Sequence, residues 1–223
     1  MKKLRTIIRW VIWTIAGLYI TTIVLLHIPA VQGFLAQKVG DVAGNKLGTE
    51  VHVGRIDLGF INRFVLDDIL IYDQSHKKML SASRVGARVD IWHLLRTGEI
   101  NISSAQLFGL RAELYKTSKD AKPNFQFILD SLASKDTTSH TPLHLSINSL
   151  VIRHGNIKYD CLDAPTTPNR LNLNHINVSD ISSYLILNKL DDTSVWADLR
   201  ALAFKEASGL EVKQLAFELK ANQ

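Results

Sequence analysis

The sequence predicts a mainly β protein: an N-terminal transmembrane helix, then a curled antiparallel β-sheet carrying a few short helices. Three observations predict it. An almost unbroken apolar run fills positions 7–28, a helical period occupies 31–47, and from Glu50 onward the apolar residues adopt a two-residue period. The chain has 223 residues, 46% hydrophobic and 21% charged, with a single Cys. That length suits one globular domain plus an appendage, and the composition excludes disordered, collagenous and disulfide-scaffold classes.

The apolar run from Ile7 to Ile28 comprises 22 residues, about 33 Å of helix against a hydrocarbon core of ~30 Å. Trp10, Trp13 and Tyr19 suit its interfacial or packed parts, and Arg9 lies close enough to one end to snorkel. Lys2, Lys3 and Arg5 precede the run, and the first thirty positions hold no acid. The start is therefore expected in the cytoplasm and everything after Pro29 outside it. A cleaved signal peptide is the rival reading, disfavoured by the length of the run and the lack of a clean small-residue exit. This charge asymmetry also explains the net charge of +5: of 26 basic residues, the 22 outside the anchor nearly balance 21 acids. No basic face for nucleic acid remains.

Residues 31–48 read as an amphipathic helix closed by Gly48. Val31, Phe34, Leu35, Val39, Val42 and Leu47 recur at three- and four-residue steps. Such a helix is expected to cap the core of the domain; lying on the membrane beside the anchor is the alternative.

Residues 49–223 then repeat one pattern, apolar-x-apolar-x-x-apolar-x-apolar. It reads Val51, Val53, Ile56, Leu58; Phe64, Leu66, Ile69, Ile71; and Ile100, Ile102, Ala105, Leu107. It returns as Leu145, Ile147, Leu150, Ile152; Leu171, Leu173, Ile176, Val178; and Leu210, Val212, Leu215, Phe217. In a strand one added residue turns every later side chain to the opposite face. A β-bulge at the double x absorbs that residue and keeps both halves on one face, adding bend and twist.

Val85-Ala87-Val89-Ile91 and Val195-Ala197-Leu199-Ala201-Ala203 are plainer alternating runs. Turns are expected at Asp73-Gln74-Ser75, Arg96-Thr97-Gly98, Asp191-Asp192-Thr193 and Ala207-Ser208-Gly209. Asn124 is expected to N-cap a short helix bearing Phe125, Ile128, Leu129 and Leu132, with an exposed loop over 134–142. The total is roughly ten strands in an antiparallel meander. The last pattern runs nearly to the final residue, so the sheet is expected to continue in a longer protein or to meet a partner at that edge.

Chemistry-bearing constellations are few. His140 and His144 flank Pro142 and do not share a helical turn as zinc ligands would. Asp67-Asp68 and Asp191-Asp192 fall at positions compatible with solvent, with no base spaced to form a dyad. Cys161 lies beside Asp160 and Asp163, which raise a thiol pKa and leave it unactivated. The chain therefore reads as a non-enzyme with no catalytic, cofactor-binding or metal-binding residues.

Several stretches together resemble the AsmA/TamB superfamily of anchored envelope proteins, in particular its TamB-like branch in Bacteroidetes-type bacteria. They are Ile28-Pro29-Ala30-Val31-Gln32, Leu47 to Ile56, Leu66 to Asp73, Pro123 to Leu129, Leu150 to Tyr159 and Lys205 to Val212. The resemblance implies a taco-like β-groove on a bacterial inner-membrane anchor, with the bulk of the chain in the periplasm. It implies phospholipid carried between inner and outer membranes as the function. TamB-like relatives are far longer, and reach an outer-membrane β-barrel partner through a C-terminal domain that nothing here matches. The groove would be lined by Leu145, Ile147, Leu150, Ile152, Leu171, Leu173, Ile176, Val178, Val195, Ala197, Leu199, Leu210, Val212, Leu215 and Phe217. The family resemblance equally implies assembly of outer-membrane proteins by strand pairing. Periodicity alone also accommodates a sealed β-sandwich.

Overall fold

The computed structural model describes residues 2–59, 62–90, 92, 93, 96, 101–133, 146–190 and 194–222. It is mainly β, with an apolar N-terminal helix and one large sheet. Helix α1 (Lys2–Leu26) contains the one segment among the described residues long and apolar enough to span a membrane, Thr6–Leu26. Three of its threonines are satisfied within the helix: Thr14, Thr21 and Thr22 each donate to the carbonyl four residues back. The anchor residues Ile7, Trp10, Trp13, Tyr19 and Ile28 all face outward, uncovered by protein.

Ile28 is extended (φ −73°, ψ 123°) and breaks the helix axis before Pro29 opens α2 (Pro29–Leu47). Gly48 ends α2 in the left-handed conformation, and its N–H reaches the Gly44 carbonyl. The helix does cap the domain, with Leu35 on the core as expected but its most buried positions elsewhere. Ala36, Gly40 and Gly44 are its buried positions, whereas Phe34, Val39 and Val42 are exposed. A Cβ on Gly40 would stand 2.7 Å from the Val51 carbonyl oxygen, and one on Gly44 2.7 Å from that of Thr49. Backbone thus packs on backbone along β1.

Among the described residues ten strands form one sheet: β1 (Val51–Leu58), β2 (Arg63–Tyr72), β3 (Lys78–Val89), β4 (Asn101–Phe108), β5 (Arg111–Lys116), β6 (Ser146–Ile147), β7 (Ser149–Cys161), β8 (His175–Leu190), β9 (Ser194–Glu206) and β10 (Glu211–Asn222). The main order is β1-β2-β3-β4-β7-β8-β9-β10. The meander is therefore interrupted. β4 and β5 follow one another beside β3, and both pair in parallel with the β6–β7 segment. Every one of those parallel pairs, from Asn101↔Ser146 to Lys116↔Cys161, joins residues 45 apart. Parallel pairing requires a crossover, and this one contains α3 (Gln126–Ala133).

Asn124 does not cap α3. Its amide is stitched to β5 instead, accepting from the Tyr115 N–H (3.0 Å) and donating to the Glu113 carbonyl (3.1 Å). Strand β8 starts at His175, so Leu171 and Leu173 precede it and are 53% and 73% exposed. Leu210 likewise lies ahead of β10, 43% exposed. These three are not lining residues. Leu145, His140, His144, Asp191 and Asp192 lie outside the described residues, as do the loop expected at 134–142 and Ile100 of the third pattern. The turns at 73–75 and 207–209 are present as expected.

Left-handed backbone falls at one double-x step, Asp68, and otherwise at residues outside the repeated patterns. Asp68 (φ 55°), His154 (φ 54°) and Asp180 (φ 54°) take it without being glycine, and Gly109 (φ 62°) joins them. Asp and His are among the side chains that tolerate this region best. Asp68 stands between the pairs that flank Ser83 on β3, and Gly109 approaches Ser83 from the other side. The kinks thus fall on neighbouring strands in a line across the sheet.

Buried hydrophobic residues are few. Ala36, Val53 and Ile56 form the main cluster, with Leu35, Val51 and Leu66 against it. Among the described residues no buried hydrophobic one belongs to β9 or β10. The accessible surface, 15925 Å² for 25.0 kDa, is about one and a half times that of a typical folded monomer of this mass.

Candidate functional site

Register turns the repeated pattern into two lines of apolar residues running across the strands. Ile56 pairs with Leu66, Leu66 with Val85, Val85 with Leu107 and Leu107 with Ile152. Ile152 faces Ser183, which faces Leu202, which faces Leu215. The second line reads Phe64, Ala87, Ala105, Leu150, Leu185, Leu199 and Phe217. Eight strands at ~4.8 Å give the first line a length of about 34 Å. Ser183 is its single polar member.

Burial declines along this track. Ile56, under α2, is 4% exposed, the middle members are half-buried apart from the buried Ala105, and Leu215 and Phe217 reach 42% and 52%. Among the described residues all strands belong to one sheet, and no second sheet faces β8–β10. Leu150, Ile152, Ile176, Val178, Ala197, Leu199 and Val212 are half-buried, and their register places all but the strand-end members beside the track. The backbones of Ile147 and Val195 continue it, opposite Ile102 and Leu190.

Two members escaped the sequence. Leu202 and Phe204 face Leu215 and Val212, because a register shift in β9 turns the chain over after Leu199. Strict alternation had put Ala201 and Ala203 on that face. The signal was present: Ala197, Leu199, Leu202 and Phe204 repeat the same bulged pattern. On β8, Ser182-Ser183 disguised the run that leads to Leu185 and Leu187. A recess of about 360 Å³ crosses the same strands, lined among others by Val151, Tyr184, Ala201 and Ala203 with Arg153 and Lys213. The small alanines make it.

The polar clusters hold structure together. Asp67 is buried, contrary to its expected solvent position. Arg55 donates to it at 2.6 Å and Arg84 at 2.7 Å, from the strands on either side. The Arg84 hydrogen bond above all, aided by Arg55 and opposed by burial, holds its carboxyl below the usual range. Asp73, 2% exposed, accepts from the Ser75 and Lys77 amides and from the Tyr115 hydroxyl at 2.8 Å. Burial pushes its pKa up, but the Lys77 amide and Tyr115 hydroxyl outweigh that and lower it.

His175 presents both ring nitrogens to acceptors, Nδ1 to Asp160 (3.0 Å) and Nε2 to the Ala164 carbonyl (3.0 Å). Asp160 first, then that carbonyl, raises its pKa. The contacts tie down the segment between β7 and β8. Cys161 is fully buried, its Sγ 3.0 Å from Asp163, whose hydrogen bond and then burial raise the thiol pKa as expected. Among the described residues, no three His, Cys, Asp or Glu side chains converge as a metal site. No family model matches the chain, and no curated protein matches its sequence.

Proposed function

We propose that the protein is a membrane-anchored lipid conduit. Its sheet curls about the apolar track, and the track shields acyl chains as they leave the bilayer. The observation that carries this reading is the cross-strand line from Ile56 to Leu215, apolar at every step but Ser183 and progressively uncovered away from α2. Each CH₂ withdrawn from water contributes about 0.8 kcal/mol, so an acyl chain laid along the line gains several kcal/mol without any fixed polar contact. Aligned left-handed residues supply the bend. The resemblance to AsmA/TamB proteins agrees with this reading, with α1 in the inner membrane, Lys2 and Lys3 in the cytoplasm and the sheet in the periplasm.

The test places a photo-crosslinking residue at Leu202, Phe217 or Glu218 of the full chain in its native membrane. Adducts are then identified by mass spectrometry. Phospholipid adducts at Leu202 and Phe217, with few at Glu218, are the expected result; adducts to none of them would sink the conduit.

A second reading rests on β10, which pairs with β9 on one side and with no described strand on the other. Its free backbone groups fit pairing with a strand of a client or partner protein, as in outer-membrane protein assembly. Protein adducts at Glu218 in the same experiment would favour this reading.

A further inference from the structure

Helix α2 carries two stripes of opposite character. Ala36, Gly40 and Gly44 seat against β1. Two residues along a helix turn through about 200°, so Phe34, Lys38, Val42 and Lys46 point away from the sheet. Phe34 is 59% exposed and Val42 68%, with the Lys38 ammonium 5.9 Å from the Phe34 ring. Large apolar side chains alternating with lysines one turn apart make a surface for an anionic bilayer. The bilayer is close: α1 ends at Leu26, and the extended Ile28 redirects the chain so that α2 leaves the axis of the span.

We propose that α2 lies in the headgroup layer of the bilayer that holds α1. Phe34 and Val42 enter the acyl boundary, and Lys38 and Lys46 meet anionic headgroups. The two glycines fix β1 against the helix, so β1 becomes the strand nearest the membrane and β10 the farthest. The cross-strand direction then rises from the bilayer. This inference rests on α1 spanning the membrane and stands apart from the conduit reading.

Nitroxide labels on the full chain test it, because the fully buried Cys161 is shielded from the reagent. Labels go on F34C, V42C, W92C and F217C in vesicles of phosphatidylethanolamine and phosphatidylglycerol, and oxygen accessibility is compared with that of a nickel chelate. The F34C and V42C labels are expected to favour oxygen severalfold over F217C and W92C. Adding K38E and K46E should return the V42C label to water. A V42C label as open to nickel as F217C overturns the proposal. So does an oxygen-favouring W92C beside a water-exposed V42C, which means the sheet stands on its strand ends. Shielding of V42C that vanishes on dilution of protein in lipid also overturns it, and assigns the stripe to a second copy. Lipid adducts at Leu202 and Phe217 are unaffected by any of these outcomes, so the two readings fail separately.

Discussion

Gly109 and His154 sit 45 residues apart at matching positions of the parallel β4–β5 and β7 segments, and both hold left-handed backbone, φ 62° and 54°. One is a residue that adopts this conformation freely and the other is not. His154→Gly should therefore stabilise the fold by about 0.5–1 kcal/mol, and Gly109→Ala should destabilise it by about 1–2 kcal/mol. A Cβ on Gly109 would also stand 2.6 Å from Ser83 Oγ, which can swing aside, so most of that loss is backbone strain. Thermal unfolding of the two variants measures both signs; equal effects would contradict the assigned backbone.

Gly40 offers a sharper steric test. The obstacle to a Cβ there is the Val51 carbonyl, which has no rotamer to change. Gly40→Ala gains about 1 kcal/mol of helix propensity and should still be destabilising by about 1–3 kcal/mol net. Faster amide exchange in β1, with β9 unchanged, is the expected signature.

Asp67 joins three strands through Arg55 and Arg84. Its folded pKa is depressed, so its contribution is complete above the unfolded value of about 4 and is lost as pH falls through the folded value. Asp67→Asn should lower stability by about 1–2 kcal/mol at neutral pH, since both guanidinium groups are half exposed and easily rehydrated. The difference from the parent should shrink towards acid pH in urea melts.

His175 works in the opposite direction. Its folded pKa is raised, so its contribution is complete below the unfolded value near ~6.5 and fades as pH rises through the folded one. Lys158, which also bonds Asp160, moderates the shift. The segment 162–174 should therefore resist protease below that range and be cut faster above it, while His175→Gln should be cut at one rate throughout. A pH-independent parent would remove His175 as the latch.

The apolar helix and the alternating strands were legible because both are written in hydrophobic period, and a side-chain flip at the wrong step would bury polar residues. The bulges were legible only in part, since register shifts fall near 103 and at 213–214 while β1 and β2 keep one register through 54–55 and 67–68. Double-x steps do meet in register, Ile56 beside Leu66 and Ile102 beside Ile147. The parallel crossover was not legible, since periodicity describes a strand and not its neighbour. The seat of α2 was missed because Gly and Ala carry no hydrophobic signal; the spacing Ala36, Gly40, Gly44 was the available clue to close backbone approach. Asp67 looked solvent-bound because its partners lie 12 and 17 residues away and meet it only through register.

The two borders of the sheet are unlike. The Tyr72 N–H donates to the Glu50 carbonyl, so alternation turns the backbone groups of Val51 and Val53 to the open side of β1, where Gly40 of α2 already sits. The β1 border is stoppered there, and β10 pairs with no described strand beyond β9. Copies of this chain that pair β10 to β10 do so about a two-fold axis, which consumes both edges at once. Such association closes at a dimer and has no route to a fibre, however long and apolar the exposed strand.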